Sequence, residues 1–121
     1  MGERELTVCI VDADSAVRDS LEVLIDLSGM LVRSFSSIRC FLNARESISV
    51  QCLLCEAEMP DGSGIMLHSI LREKGADFPF ALLVSENKPR IFQRATEAGI
   101  RNIFQKPLMN HAGLLKFIRN S

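Results

Sequence analysis

The sequence predicts an α/β fold built on a five-stranded parallel sheet. Apolar runs such as Leu6–Val11 and residues 80–84 show no polar alternation, which is typical of strands covered on both faces. Between these runs lie stretches whose apolar residues recur at the helical period of 3.6. Five strands that alternate with five helices, joined by right-handed crossovers, favour a doubly wound, flavodoxin-like sheet of order 2-1-3-4-5.

The first strand and helix define the pattern. Leu6–Val11 runs into Asp12-Ala13-Asp14, and Ser15 is a candidate N-cap for the helix that follows. Gly29 is expected to end this helix, because glycine readily adopts the left-handed conformation found after helices.

The remaining elements follow the same alternation. Leu31–Phe35 has a mixed pattern and is expected near an edge of the sheet, and Ser36 or Ser37 is expected to cap a short helix after it. The later elements are predicted as strands at 52–55, 80–84 and 103–105, helices at about 64–72 and 90–98, and a last amphipathic helix around 114–118.

Composition limits the class of protein. The 121 residues fit a single domain, 1–121, and a content of 47% hydrophobic and 24% charged residues is that of an ordinary globule. A net charge of -1 gives no basic surface for nucleic acid, and no apolar run approaches the roughly 18 residues of a membrane span. The charged N-terminus, residues 1–5, argues against a signal peptide, so a cytoplasmic location is expected.

The four cysteines are not spaced as a disulfide framework. Cys52 and Cys55 match a C-x-x-C pattern, but residues three apart on a strand point to opposite faces. We therefore expect this pair to hold neither zinc nor a redox disulfide and to be small buried hydrophobic residues. The other two cysteines are Cys9 and Cys40.

Polar residues follow the predicted strands where functional sites of parallel sheets collect. The predicted order makes strands one and three neighbours, which brings Asp12 and Glu56 together. The end of strand four contributes Val84 and Ser85, and the end of strand five contributes Lys106. Glycine-rich phosphate-binding patterns are absent from the sequence.

With these features in order, residues 6–118 resemble a bacterial response-regulator receiver domain, whose CheY-like fold is the one predicted above. Residues 35–37 together with Phe41-Leu42 are especially similar to regulators that join a receiver to a LuxR-type helix-turn-helix. The matching segments are Ile10-Val11-Asp12, residues 17–21, Met59-Pro60-Asp61-Gly62-Ser63-Gly64, Ala98-Gly99 and Lys106-Pro107.

The resemblance implies a two-component signalling role rather than an enzyme. In the family, an aspartate that ends strand three receives a phosphoryl group from a histidine kinase, and an acidic pair after strand one holds Mg²⁺. A Thr or Ser after strand four contacts the phosphoryl oxygen, and a lysine before a proline pairs with its charge. The metal and the lysine offset the charge that builds on the transferred group.

This chain departs from the family pattern at most of these positions. The phosphoacceptor position holds Glu56, fixed by Pro60 four residues on and Gly64 eight residues on, and the acidic pair is reduced to Asp12-Ala13. Ala13 replaces the residue that contacts the metal directly in the family.

The switch positions also differ. Counting from Pro79 and from Gly99 places Val84 at the hydroxyl position, with Ser85 an alternative only if the loop shifts by one residue. Ile103 replaces the switch aromatic, whereas Lys106-Pro107 is retained.

These departures disfavour phosphoryl transfer and its metal. The extra methylene of Glu56 moves its carboxylate by about 1.5 Å. Because Mg²⁺ requires near-ideal octahedral geometry, Asp12 and Glu56 are weak metal candidates, and no cofactor is expected. Asp14 either supplements such a site or starts the first helix, where an acid suits the helix dipole. Glu58, His68 and His111 are expected at solvated or boundary positions.

The leading hypothesis is therefore an atypical receiver that signals by protein contact without aspartate phosphorylation. The resemblance implies a docking or homodimer face formed by helix four, strand five and helix five, around residues 90–98, Ile103 and Lys116. It also implies transcriptional regulation through an output domain outside this chain, with a histidine kinase partner left open and no direct nucleic-acid or membrane contact. Whether Glu56 mimics a phosphoryl group or has merely drifted stays open.

Two alternatives remain. The first is a conventional phosphoacceptor receiver with an unusual site. The second is a small flavodoxin-like carrier or metal enzyme, which the absence of Trp and Tyr for stacking a flavin disfavours.

Overall fold

A computed structural model describes residues 5–121 and confirms the predicted sheet. The strands are β1 Leu6–Val11, β2 Leu31–Phe35, β3 Ser49–Glu56, β4 Phe80–Ser85 and β5 Asn102–Lys106. All neighbours pair in parallel in the order β2-β1-β3-β4-β5, so β2 lies at an edge as predicted. Residues 1–4, on which the signal-peptide prediction rests, lie outside the described residues.

Five helices connect these strands. They are α1 Ser15–Leu27, α2 Ile38–Ala44, α3 Gly64–Glu73, α4 Pro89–Glu97 and α5 His111–Arg119. A 3₁₀ turn, Arg45–Ser47, follows α2, and a small hairpin pairs Glu58–Met59 with Gly62–Ser63 between β3 and α3. None of the helices within residues 5–121 has the length and apolar content to cross a bilayer.

Most element ends agree with the sequence prediction to within one or two residues, and two differences are informative. The N-cap of α1 is Asp14, whose carboxylate accepts a hydrogen bond from the Ala16 amide at 2.9 Å, so the assignment of Ser15 is wrong by one residue. Strand β3 begins at Ser49, before the predicted start, because Ser49 and Val50 already pair with β1. Ser37, one of the two predicted candidates, caps α2.

The sheet separates two hydrophobic layers. Helices α1 and α5 cover one face, where Leu21, Ile25 and Leu114 are buried against the strands. Helices α2, α3 and α4 cover the other face, where Phe41 and Leu67 are fully buried. Each large aliphatic or aromatic side chain buried in this way contributes about 1.5–3 kcal/mol.

Cys52 and Cys55 lie on opposite faces of the sheet, as the alternation of side chains along a strand predicted. Cys52 packs in the layer under α1 and α5, whereas Cys55 packs in the opposite layer, and both are buried free thiols. Burial raises the pKa of Cys52 to about 11, so this thiol stays neutral at physiological pH. Neutral buried thiols on opposite faces do not form a zinc or redox pair.

The loop between β3 and α3 is fixed at both of its ends. A Cβ on Gly64 would lie 2.6 Å from the backbone oxygen of Glu56, so only glycine permits this close approach to the strand end. The Asp61 carboxylate accepts hydrogen bonds from the amides of Ile38 and Arg39 at 3.2 and 3.0 Å. These backbone hydrogen bonds lower the pKa of Asp61 and anchor the start of α2.

His68 lies deeper than the sequence indicated. It is only 7% exposed, on the inner side of α3, and its ring meets that of Phe80 edge to face at a centroid distance of 5.0 Å. The expectation of a surface or boundary position is therefore wrong, because the layer over β4 encloses this face of α3. Burial, followed by the nearby charge of Arg72, lowers the pKa of His68.

The buried imidazole predicts a loss of stability in mild acid. Since the pKa of His68 is lowered in the folded state, its stabilising effect is complete above the usual value of 6.5 and is lost as pH falls below it. We expect the free energy of unfolding, measured by urea denaturation between about pH 7.5 and 5, to fall less steeply in His68→Gln than in wild type. His111→Gln, at the exposed start of α5, is the control and should keep the wild-type slope.

Candidate functional site

Three strand ends meet at the carboxyl edge of the sheet. Asp12 follows β1, Glu56 ends β3 and Lys106 ends β5, which lies across β4 from β3. The Lys106 Nζ lies 2.8 Å from Asp12 Oδ2 and 2.6 Å from Glu56 Oε2. One lysine therefore bridges the two carboxylates.

This cluster is largely shielded from water. The side chains of Asp12, Glu56 and Lys106 are 2%, 7% and 17% exposed. Charges removed from water in this way are costly unless they are paired, and removal of one partner leaves the other uncompensated. The Lys106 charge is thus a requirement for burying both carboxylates.

Backbone groups hold the remaining oxygens. Asp12 Oδ1 accepts from the amide of Asp14 at 2.9 Å, and Glu56 Oε1 accepts from the amide of Glu58 at 3.2 Å. The contact of Lys106 with Asp12 has hydrogen-bond geometry, whereas Glu56 Oε2 is held as an ion pair without that alignment. Every carboxylate oxygen of the cluster therefore faces a donor or a cation.

The protonation of Lys106 follows from its surroundings. Burial alone would lower the pKa of Lys106, but the contacts with Asp12 and then Glu56 outweigh burial and raise it. Lys106 is consequently a fixed cation across the neutral range.

The switch positions divide between the two faces of the sheet. Val84 is buried in the layer next to α4, and Ile103 packs against the same layer. Ser85 alternates to the other face, pairs in register with Lys106 and lines the groove beside it. Within residues 5–121, neither hydrogen bond nor ion pair joins the Ser85 side chain to Glu56.

The neighbouring sequence candidates have local roles. Asp14 caps α1 with its exposed carboxylate, and Ala13 is exposed and carries no ligand atom. Glu58 pairs at 3.5 Å with Lys88 at the surface. Pro107 follows a cis peptide bond and borders the groove beside Lys106.

One stabilising residue was not recognised from the sequence as part of the site. The Arg18 guanidinium donates to the backbone oxygen of Asp12 at 2.6 Å and fixes the loop that carries the buried carboxylate. Arg18 lies within a segment that carried the family resemblance, but spacing alone did not indicate which atom it would contact.

The donor set does not suit Mg²⁺. The ion requires several oxygens at about 2.0–2.1 Å in octahedral geometry, but here both carboxylates are turned toward Lys106 and Ala13 supplies no oxygen. No group of three or more His, Cys, Asp or Glu side chains within residues 5–121 is arranged to hold a metal ion.

Two grooves open at this end of the sheet, and the first of them borders Lys106. The larger, of about 680 Å³, lies between α1 and α5 and has an apolar floor that includes Val17, Leu24 and Leu108. A smaller groove of about 380 Å³ runs along α4 and β5 and is lined by Phe92 and Ile103, among others.

A doubly wound sheet with an acid–lysine cluster at its carboxyl edge is the architecture of a receiver-type signalling domain. A family model described as the response regulator receiver domain matches residues 8–119. The chain belongs to this family.

Individual curated relatives support this family assignment. The chain is 32% identical over 107 residues to the response regulator protein TmoT of Ectopseudomonas mendocina, covering 88% of this chain and 49% of that protein. It is 33% identical over 104 residues to the transcriptional regulatory protein TdiR of Thauera aromatica, covering 86% of this chain and 46% of that protein. It thus spans about half the length of these curated relatives.

Solved structures show the same fold. The response regulator StyR superposes with a TM-score of 0.84 at 30% identity, over 96% of this chain and 58% of that one. The chain described as FixJ-N, at 24% identity, gives a TM-score of 0.83 over 97% of this chain and 93% of that one.

Removal of the lysine should destabilise the protein strongly. Lys106→Met leaves two buried carboxylates without a cation, so we expect a loss of about 3–5 kcal/mol in the free energy of unfolding at pH 7, measured by urea denaturation. Because the pKa of Lys106 is raised, its stabilising effect in wild type is present below the usual value of 10.5 and is lost only as pH rises through the higher folded value.

A surface lysine provides the matched control. Lys88→Met breaks the half-exposed pair with Glu58 and should cost less than about 1 kcal/mol. Equal losses in the two variants would contradict a structural role for the buried bridge.

Proposed function

We propose that the chain is an atypical receiver that signals by protein contact, without phosphorylation of an aspartate and without Mg²⁺. The observation that carries this proposal is the position of Glu56. Its carboxylate ends β3 and is engaged at both oxygens, by the Glu58 amide and by Lys106. This arrangement keeps a negative charge at the family's phosphoacceptor position with no added group.

Phosphoryl transfer has little support from these contacts. In-line attack tolerates small displacements poorly, and about 1 Å can cost roughly 100-fold in rate. Glu56 is longer than aspartate and is already paired with the lysine that would neutralise the incoming charge. Val84 offers no hydroxyl to a phosphoryl oxygen.

The fixed charge favours a single conformational state. A carboxylate has one negative charge and two oxygens, whereas a phosphoryl group has nearly two charges and three acceptor oxygens. With Val84 and Ile103 at the switch positions, there is no hydroxyl or aromatic side chain to respond to the site. Glu56 thus acts as a constant, partial phosphate mimic that holds one state of the domain.

The groove along α4 and β5 is the proposed docking surface. Phe92 is 54% exposed on α4 and borders this groove together with Ile103. An exposed aromatic side chain beside an apolar groove is a common anchor for protein contacts. The occupant would be an output domain or a partner protein.

The relatives suggest the wider role. Because TdiR is a transcriptional regulatory protein of about twice this length, we propose that the chain regulates transcription through an output domain that contacts DNA. In this role the domain is not an enzyme, and no histidine kinase is required for output. The expected cytoplasmic location remains a prediction.

Treatment with a small phosphodonor tests the chemistry. The protein incubated with Mg²⁺ and acetyl phosphate should show no mass gain of one phosphoryl group by intact mass spectrometry, because acceptor geometry, metal ligand and hydroxyl are all altered. As a positive control, the triple variant Ala13→Asp, Glu56→Asp, Val84→Thr restores the family set and should gain the group. A stoichiometric gain in wild type would overturn the proposal.

Substitutions at Glu56 test whether its charge is the signal. The measurement is DNA binding by the longest natural chain that contains this domain. Glu56→Gln should change DNA binding because the ion pair with Lys106 is lost. Glu56→Asp should retain the charge but weaken the pair, since its carboxylate is about 1.5 Å shorter in reach.

The control for that experiment is Glu58→Gln, which changes an exposed acid two residues away. As a separate test of the docking surface, Phe92→Ser should reduce DNA binding, because it removes the exposed aromatic side chain beside the α4–β5 groove. If Glu56→Gln and Glu56→Asp both behave as wild type, the charge at Glu56 carries no signal.

A further inference from the structure

The groove between α1 and α5 has no part in the proposed function. Its volume of about 680 Å³ lies within the range of roughly 300–1,000 Å³ that is typical of small-molecule sites. Leu21 and Leu24 of α1, together with Leu108 just before α5, give it an apolar floor. We call this cavity the α1–α5 groove.

Small side chains keep this groove open. Ala16 and Ser20 are four residues apart on α1, so they lie on the same side of the helix, and both are exposed where they line the groove. Val17 and Leu24, which also line it, are only half-buried. Part of the apolar floor is therefore accessible from solvent.

Acidic side chains border the end of the groove at the carboxyl edge of the sheet. Asp14 follows β1 and Glu86 follows β4, and both are exposed and line the groove. Neither of these carboxylates takes part in a salt bridge with another described residue. A positively charged ligand group would therefore meet two unpaired carboxylates at this end.

Lys106 also lines the groove, but its charge is not available to an anion. Its Nζ lies 2.8 Å from Asp12 and 2.6 Å from Glu56, and two carboxylates with one ammonium leave this bridge with a net charge of -1. The guanidinium of Arg18, at the same end of α1, is engaged with the backbone oxygen of Asp12. The polar end of the groove is therefore acidic on balance.

The helix ends beside the groove are capped as well. Asp14 accepts a hydrogen bond from the amide of Ala16 at the start of α1, and Asn110 accepts one from the amide of Gly113 at the start of α5, both at 2.9 Å. These caps occupy amide groups of the kind that bind anions at uncapped helix ends. The acidic rim consequently decides which sign of charge fits the groove.

We propose that the α1–α5 groove binds a small molecule with an apolar body and a positively charged amine. The apolar body lies on the leucine floor, and the amine lies at the end that Asp14 and Glu86 border. Burial of the apolar body supplies most of the affinity, because exposed carboxylates attract a cation only weakly in water. The carboxylates supply the selection against anions.

This site is separate from the proposed docking surface. Phe92 and the α4–β5 groove lie with the layer on the opposite face of the sheet, so a ligand between α1 and α5 leaves them free. Ligand binding would give the domain an input that requires neither an acceptor aspartate nor Mg²⁺. It does not depend on the proposed signalling role, and its test is independent of that role.

Three probes that share one apolar body test the proposal on the 121-residue chain. Phenylbutylammonium, phenylbutanol and phenylbutyrate are each titrated into the isotope-labelled protein, and the shifts of the backbone amides are followed by NMR. We expect a dissociation constant on the order of 1 mM for the amine, about 3-fold higher for the alcohol and about 10-fold higher for the carboxylate. The shifts should centre on Ala16, Ser20 and Glu86.

Substitutions separate the floor from the acidic rim. Ser20→Phe fills the groove from an exposed position and should raise the dissociation constant of the amine about 10-fold. Asp14→Asn combined with Glu86→Gln should raise that of the amine about 3-fold, to the value of the alcohol, and lower that of the carboxylate. Asparagine retains the N-cap of α1. Asp19→Asn, an exposed acid of α1 that does not line the groove, is the matched control and should change none of the three values.

Circular dichroism checks that the variants are folded, and Ala16→Phe is a second variant that fills the groove. Equal affinities for the amine and the carboxylate in wild type would overturn the proposal. The same holds for amide shifts that centre on Phe92, and for a wild-type protein without shifts up to about 10 mM amine.

Discussion

The bridge from Lys106 to Asp12 and Glu56 is the interaction on which the carboxyl edge of the sheet depends. It ties β1, β3 and β5 across the end of β4, and it makes two buried carboxylates tolerable in a setting where either alone would be costly. Gly64 permits the backbone of the following loop to close over Glu56, and Arg18 fixes the loop that carries Asp12. The packing at this edge is arranged around that one cation.

The same bridge limits what the site can do. A lysine that must neutralise an incoming phosphoryl group has to be available for it, but here its charge is shared between two resident acids. The raised pKa of Lys106 shows that these contacts outweigh the penalty of burial. Because the cation and the anions of this site already neutralise each other, the bridge supports the proposal of a receiver that works without a metal or a transferred group.

A domain held in one state, as we propose for this one, can still transmit information through its surfaces. The sheet divides those surfaces physically: the α4–β5 groove with Phe92 lies on one side, and helices α1 and α5 lie on the other. If the domain signals as we propose, partner supply rather than phosphorylation sets its output.

Much of this architecture was determined by the sequence alone. Hydrophobic periodicity is a local property, so it indicated the strands and helices and the edge position of β2, and strand alternation indicated the opposite faces of Cys52 and Cys55. The alternation of elements with right-handed crossovers then predicted the strand order, and the structure confirms all of these predictions. The sequence also placed Asp12, Glu56 and Lys106 at the ends of their strands. The predicted N-cap of α1, Ser15, is one residue away from the observed N-cap, Asp14, because both types of side chain can accept the amide hydrogen bonds that cap a helix.

Only the tertiary structure decided which groups share a partner and which side chains are enclosed. The burial of His68 depends on Phe80, from a strand that lies later in the chain, and the division of Val84 and Ser85 between faces depends on the register of β4 with β5. The sequence placed two acids and a lysine at strand ends on the same edge of the sheet but did not show that the one lysine would bridge both acids. That outcome rests on distances across three strands and on the exclusion of water, which no local pattern encodes.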